Sequence, residues 1–185
     1  IERCLIDAIS GIGVDCVDVS RVTMRSTIVA NCTGAATKID MGGFLDIIQC
    51  TFVNNGSFGV EAPGGKARIE ATLIHDSDDG AEGLSGDATT LEVDGLWVTL
   101  LDSTNVGTPV GVTDANPIAV ALDPTVVFAA STFPGEIALG QIQRTGAAAQ
   151  ILSSPNRDFS NLSRNRGDLA AGADEQTAFG GGGAQ

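Results

Sequence analysis

The sequence predicts an all-β solenoid, a chain wound into stacked coils, and three observations predict it. An apolar triplet with one-residue gaps recurs four times, as Met24-x-Ser26-x-Ile28, Ile48-x-Cys50-x-Phe52, Ile69-x-Ala71-x-Leu73 and Val93-x-Gly95-x-Trp97. The last members of successive triplets lie 24, 21 and 24 residues apart, and Ile6, preceded by Cys4, sits 22 residues before Ile28. A period of this length marks units that cannot bury an apolar face alone and therefore stack. Inside each triplet the residues alternate, which is the period of a strand. The composition agrees, with 24 glycines, no tyrosine and 43% hydrophobic residues, enough to fill a core and rich in turns.

Taken in order, the triplets predict three interior rows. Met24, Ile48, Ile69 and Val93 form the first. Ser26, Cys50, Ala71 and Gly95, with Cys4, form a row of small residues. Ile28, Phe52, Leu73 and Trp97, with Ile6, form the bulky row, where Trp97 reads as core rather than as a sugar-stacking platform. The intervening residues then face outward: Arg25, Gln49, Glu70 and Asp94 in one row, Thr27, Thr51 and Thr72 in the next. These seven make the candidate face for a glycan or a partner. Asn31, Asn55 and Asp76 follow the bulky slot by three residues, and a short polar side chain recurring at a bend can bond its own turn and stack as a ladder. Glycine-rich turns come next (Gly56-Ser57-Phe58-Gly59, Asp79-Gly80), then a second short strand such as Gly59-Val60-Glu61, then further turns at Pro63-Gly64-Gly65 and Ser85-Gly86-Asp87.

With this pattern, residues 1–112 resemble a right-handed parallel β-helix of the pectate-lyase-like superfamily, with about five coils. The rival is a leucine-rich repeat, since Ile48-x-Cys50-x-Phe52-x-x-Asn55 has its spacing. Such repeats want leucine where this chain has Ser26, Cys50, Ala71 and Gly95, and a convex helix where this chain is glycine-rich.

After Val112 the period stops. Residues 113–179 read as an irregular capping segment, with Pro117, Pro124 and Pro134 around the apolar stretch from Thr125 to Ala130; residues 180–185 read as a flexible glycine-rich tail. The stretch from Pro155 through Arg157, Asp158, Phe159, Arg164, Arg166, Gly167 and Asp168 to Gly172-Ala173-Asp174-Glu175 resembles the closing motif of secreted bacterial cell-surface β-helix proteins. It departs from that motif in having Leu169-Ala170-Ala171 where Asp-Ile is common, and in lacking the Asp-Gly after Asp-Phe. Its arginines and carboxylates could tie down a closing segment, which a solenoid needs to cover its last strand edge.

Ten basic residues against 23 acidic ones give a net charge of −13, which excludes a nucleic-acid surface. No apolar run reaches the length of a membrane span. The chain opens at Ile1 without a methionine and reads as a fragment or processed product. Cys4 and Cys50 share a slot two coils apart, too far for a bridge, and Cys16 and Cys32 fall elsewhere around the coil. Four free, mostly buried thiols are expected.

The only histidine stands in His75-Asp76-Ser77-Asp78-Asp79-Gly80. Paired carboxylates beside it suggest glycosidic acid–base chemistry, but Asp76 has a bend role and Asp-Asp-Gly is an ordinary turn, so no catalytic residue is assigned. Asp76, Asp78 and Asp79 are the candidate ligands for calcium, which takes oxygen donors. A lyase would need a base near such acids, and Arg25, Lys38, Lys66 and Arg68 carry no recognisable signature. Arg166-Gly167-Asp168 matches an adhesion tripeptide by letter only. The expected function is a non-catalytic extracellular or cell-surface module, structural or adhesive. It would contact polysaccharide, another surface component, or copies of itself. The alternatives are a virion component, such as a phage tail spike or head decoration, and a polysaccharide lyase or hydrolase.

Overall fold

A computed structural model of the protein describes residues 1–70, 72–77, 83–86, 90–93 and 98–101. Thirteen strands lie among them: β1 (Leu5–Asp7), β2 (Val14–Cys16), β3 (Arg21–Arg25), β4 (Ile28–Ala30), β5 (Thr37–Ile39), β6 (Phe44–Ile48), β7 (Thr51–Asn55), β8 (Val60–Glu61), β9 (Lys66–Glu70), β10 (Thr72–Ser77), β11 (Leu84–Ser85), β12 (Leu91–Val93) and β13 (Val98–Leu101). Every third strand joins the same sheet, and all pairing is parallel. Sheet I runs β3-β6-β9-β12, sheet II runs β1-β4-β7-β10-β13, and sheet III runs β2-β5-β8-β11. Three complete coils thus stand between a partial coil at each end of the described residues. The expected capping segment, the tail and the arginine-rich closing motif lie outside the described residues, as do Ala71, Asp94, Gly95 and Trp97.

The interior columns are sharper than the sequence rows, and one residue out of step with them. Met24 lies opposite Ile47, Ile47 opposite Ile69 and Ile69 opposite Val93, so Ile47 and not Ile48 belongs to the first column. The bulky column is Ile6, Val29, Phe52 and Ile74, and the register pairs Ile74 with Leu100 at the next level. Ile28 instead aligns with Thr51 on the other face of sheet II, and Leu73 is paired with Thr51 in the register. The cause is local. Ser26 and Gln49 adopt φ of 44° and 49° at the corner between sheets I and II, spending one extra residue there. Inward positions therefore follow the order Met24, Thr27, Val29 and Ile47, Cys50, Phe52, where strict alternation predicts gaps of one. Ser26 belongs to that corner, donating its N–H to Ile48 O, and leaves the small-residue row to Thr27.

The remaining interior is filled by Cys16, Ile39, Leu45, Val60, Ala62, Ala67 and Leu84, all buried in one cluster with the two columns. Close stacking needs glycine at Gly56, where a Cβ would collide with the backbone of Thr33 in the coil below.

The next corner carries one exposed polar ladder and one buried amide. Asn31 and Asn54 both adopt φ of 53° and stack in the open, where Asn54 Nδ2 donates to Asn31 Oδ1 at 2.6 Å and Asn31 Nδ2 to Asp7 Oδ1 at 2.7 Å. Asn54, not Asn55, is thus the partner of Asn31. Asn55 turns inward: its Oδ1 accepts the Cys32 N–H and its Nδ2 donates to Val29 O, both at 3.1 Å in a buried setting. A buried amide is tolerable only when both ends are bonded, and here the coil below supplies both partners.

Candidate functional site

Six of the seven residues expected on one outer face are described, and these six do not share a face. Thr27 points inward in the column of Cys4 and Cys50. Its hydroxyl donates to Arg25 O at 2.9 Å and accepts the Cys4 N–H at 3.5 Å. Thr72 repeats this one level higher, donating to Glu70 O at 3.1 Å and accepting the Cys50 N–H at 3.4 Å. Thr51 faces away from the core on sheet II and is buried, as are Gln49 at its corner and Glu70 on sheet I. Glu70 Oε2 lies 3.6 Å from Arg68 Nη2. Arg25 is half-buried, with its Nε buried and without a hydrogen-bond partner among the described residues. Asp94 lies outside the described residues. Strict alternation across the corner is what misassigned the threonines: the extra residue at Ser26 and Gln49 turns the row from outside to inside.

A different outer surface gathers chemistry. The outward residues of sheet I align as Arg21, Phe44 and Lys66 in one row, Thr23, Asp46 and Arg68 in the next, and Arg25, Ile48 and Glu70 in the third. Four of the chain's ten basic residues, Arg21, Arg25, Lys66 and Arg68, are therefore on one face of an acidic protein. The Arg21 guanidinium lies 4.6 Å from the centroid of the Phe44 ring and donates to Asp46 Oδ2 at 3.0 Å. Beside this row is an open recess of about 340 Å³ between stacked turns, lined by Gly42, Gly43, Gly64 and Gly65 with Phe44 and Lys66. The signal was legible: Arg21, Phe44 and Lys66 each open a strand just after a turn, at spacings of 23 and 22.

Asp78 and Asp79 lie outside the described residues, and Asp76 falls within β10. Among the described residues no three His, Cys, Asp or Glu side chains are grouped to hold a metal. All four cysteines are free, with Cys4 exposed and Cys16, Cys32 and Cys50 buried. Cys4 and Cys50 stand in one column with Thr27 between them, two levels apart as their spacing predicts. Burial pushes the Cys32 thiol above its ordinary range; the Ile9 backbone opposes this and the Asp7 charge adds to it. The fold thus favours the neutral thiol. Its stabilising effect is full below the ordinary thiol value, roughly 8.5, and is lost as pH rises through the higher folded value. At neutral pH a disulfide reagent is expected to titrate one thiol rapidly in the native protein, Cys4, and the other three only on unfolding. Rapid reaction of Cys32 in the native state would contradict its burial.

Parallel strands that return to the same three sheets at every coil define a β-solenoid. Residues 1–90 match the family model described as a right-handed beta helix region, and the fold is a right-handed parallel β-helix. No curated protein and no solved structure matches the chain.

Proposed function

We propose that the protein is a non-catalytic, extracellular β-helix module whose outer sheet I face contacts an anionic glycan. The observation that carries this reading is the row Arg21–Phe44–Lys66 beside the glycine-lined recess. An aromatic ring offers an apolar platform for a sugar face. Arginine and lysine beside it suit carboxylates, with bonds stronger than those between neutral groups. The stacked coils would hold this row at fixed spacing along the sheet, as a rigid surface element requires.

The test is calorimetric titration with uronate-containing oligosaccharides, with and without calcium. Binding is expected, and Phe44→Ala with Lys66→Ala is expected to weaken it by roughly tenfold or more. Unchanged affinity in that double variant, or no binding to any uronate ligand, would remove the reading. Unsaturated product appearing during the titration would instead establish a lyase.

A further inference from the structure

We propose that Asn55–Gly56 is a self-modifying site: its amide converts to a carboxylate through an intrachain succinimide whenever the corner after β7 opens, and the closed coil keeps it silent. Water is the one co-reactant. Among all the asparagines of the chain, Asn55 alone is followed by glycine. In that pair no side chain shields the nitrogen that must attack.

Coil stacking demands both members of this labile pair. The Asn55 carboxamide is buried and bridges to the coil below, its Oδ1 accepting the Cys32 N–H and its Nδ2 donating to Val29 O. An ionised aspartate accepts but cannot donate, so the amide is required. At Gly56 any Cβ would run into the backbone of Thr33, so glycine is required as well.

The reaction balances without an oxidant or a metal. The Gly56 nitrogen gives up its proton and attacks Cγ of Asn55. A C–N bond forms, the Cγ–Nδ2 bond breaks, and the proton leaves with the departing ammonia. Water then opens the five-membered ring at either carbonyl, giving aspartate or the isomer whose main chain runs through the side-chain carbon.

Three contacts block this in the folded coil. The Gly56 N–H donates to Cys32 O at 2.8 Å, which holds the nucleophile's proton, and the two bonds to Asn55 hold the amide. All three run to Val29 and Cys32, so they are lost together when these two coils part. After conversion a carboxylate faces Val29 O with no proton to offer it, in a place without water. An opening long enough for the chemistry therefore becomes irreversible. The site stands at the end of sheet II and does not rest on the glycan reading.

The test holds the intact chain in weakly alkaline water enriched in heavy oxygen, with and without denaturing urea, and follows label at each asparagine by peptide mass spectrometry. In urea, Asn55 is expected to take up label well ahead of Asn31 and Asn54, and faster as pH rises. Without urea its rate should fall by roughly a hundredfold or more. Asn55→Asp, the direct product, should melt at least about 5 °C below the parent chain, or form no strands. Equal rates with and without urea would overturn the proposal. So would an Asn55 no faster than Asn31 and Asn54 in urea, or an Asn55→Asp chain that melts at the parent midpoint.

Discussion

Ile47→Asp is expected to unfold the stacked coils, with a loss of at least about 4 kcal/mol in a urea titration followed by circular dichroism. Ile47 is fully buried, between Met24 and Ile69. A carboxylate there must either stay charged away from water or take up a proton, and both are costly at neutral pH. Ile48→Asp makes the same chemical change one residue along. It puts the carboxyl on the outward side of sheet I, where Ile48 is buried between Arg25 and Glu70; with the Arg25 cation in register there and none beside Ile47, its loss should be smaller. The two variants together test the register: a larger loss at Ile48 than at Ile47 would restore the alternation read from the sequence and refute the corner at Gln49.

Phe52→Ala is expected to cost about 3 to 5 kcal/mol, from lost apolar burial and the cavity left behind. Phe52 is the largest fully buried side chain among the described residues, and it stands between Val29 and Ile74 in the bulky column. In a stacked-coil protein each level is braced mainly by its neighbours, so damage in a middle coil also weakens the coupling between the two halves. The unfolding curve should therefore broaden or divide as its midpoint falls. A sharp transition with an unchanged midpoint would mean that the column does not bear on stability.

The sequence carried the architecture because the coil period depends on apolar residues that no other arrangement would bury. Cys4 and Cys50 were legible as same-slot residues, and so were Ile6 with Phe52 and Ile69 with Val93. What escaped was the residue spent at each corner. Ser26 and Gln49 are not glycine, and nothing in their chemistry announces a positive φ, so alternation was carried straight across the bend. That single slip turned Thr27 and Thr72 outward on paper while they hydrogen-bond inside the column. It also exchanged Asn54 for Asn55. The candidate face inherited the error, because outward rows were defined only as the complement of inward ones. The row of Arg21, Phe44 and Lys66 was overlooked for a different reason. Its members share spacing but not chemistry, and a search for repeated residue types passes over a surface made of unlike ones.

The exposed amide ladder has a direction. Each carboxamide hands a proton-bearing nitrogen down to the oxygen below, from Asn54 to Asn31 to Asp7. A carboxylate can receive such a link and pass nothing on, as Asp7 does at the bottom, so an aspartate in place of Asn31 would sever the file. Copying a whole coil between the ends would lengthen the file without reversing it, which gives a solenoid of this kind an easy route to growth by duplication.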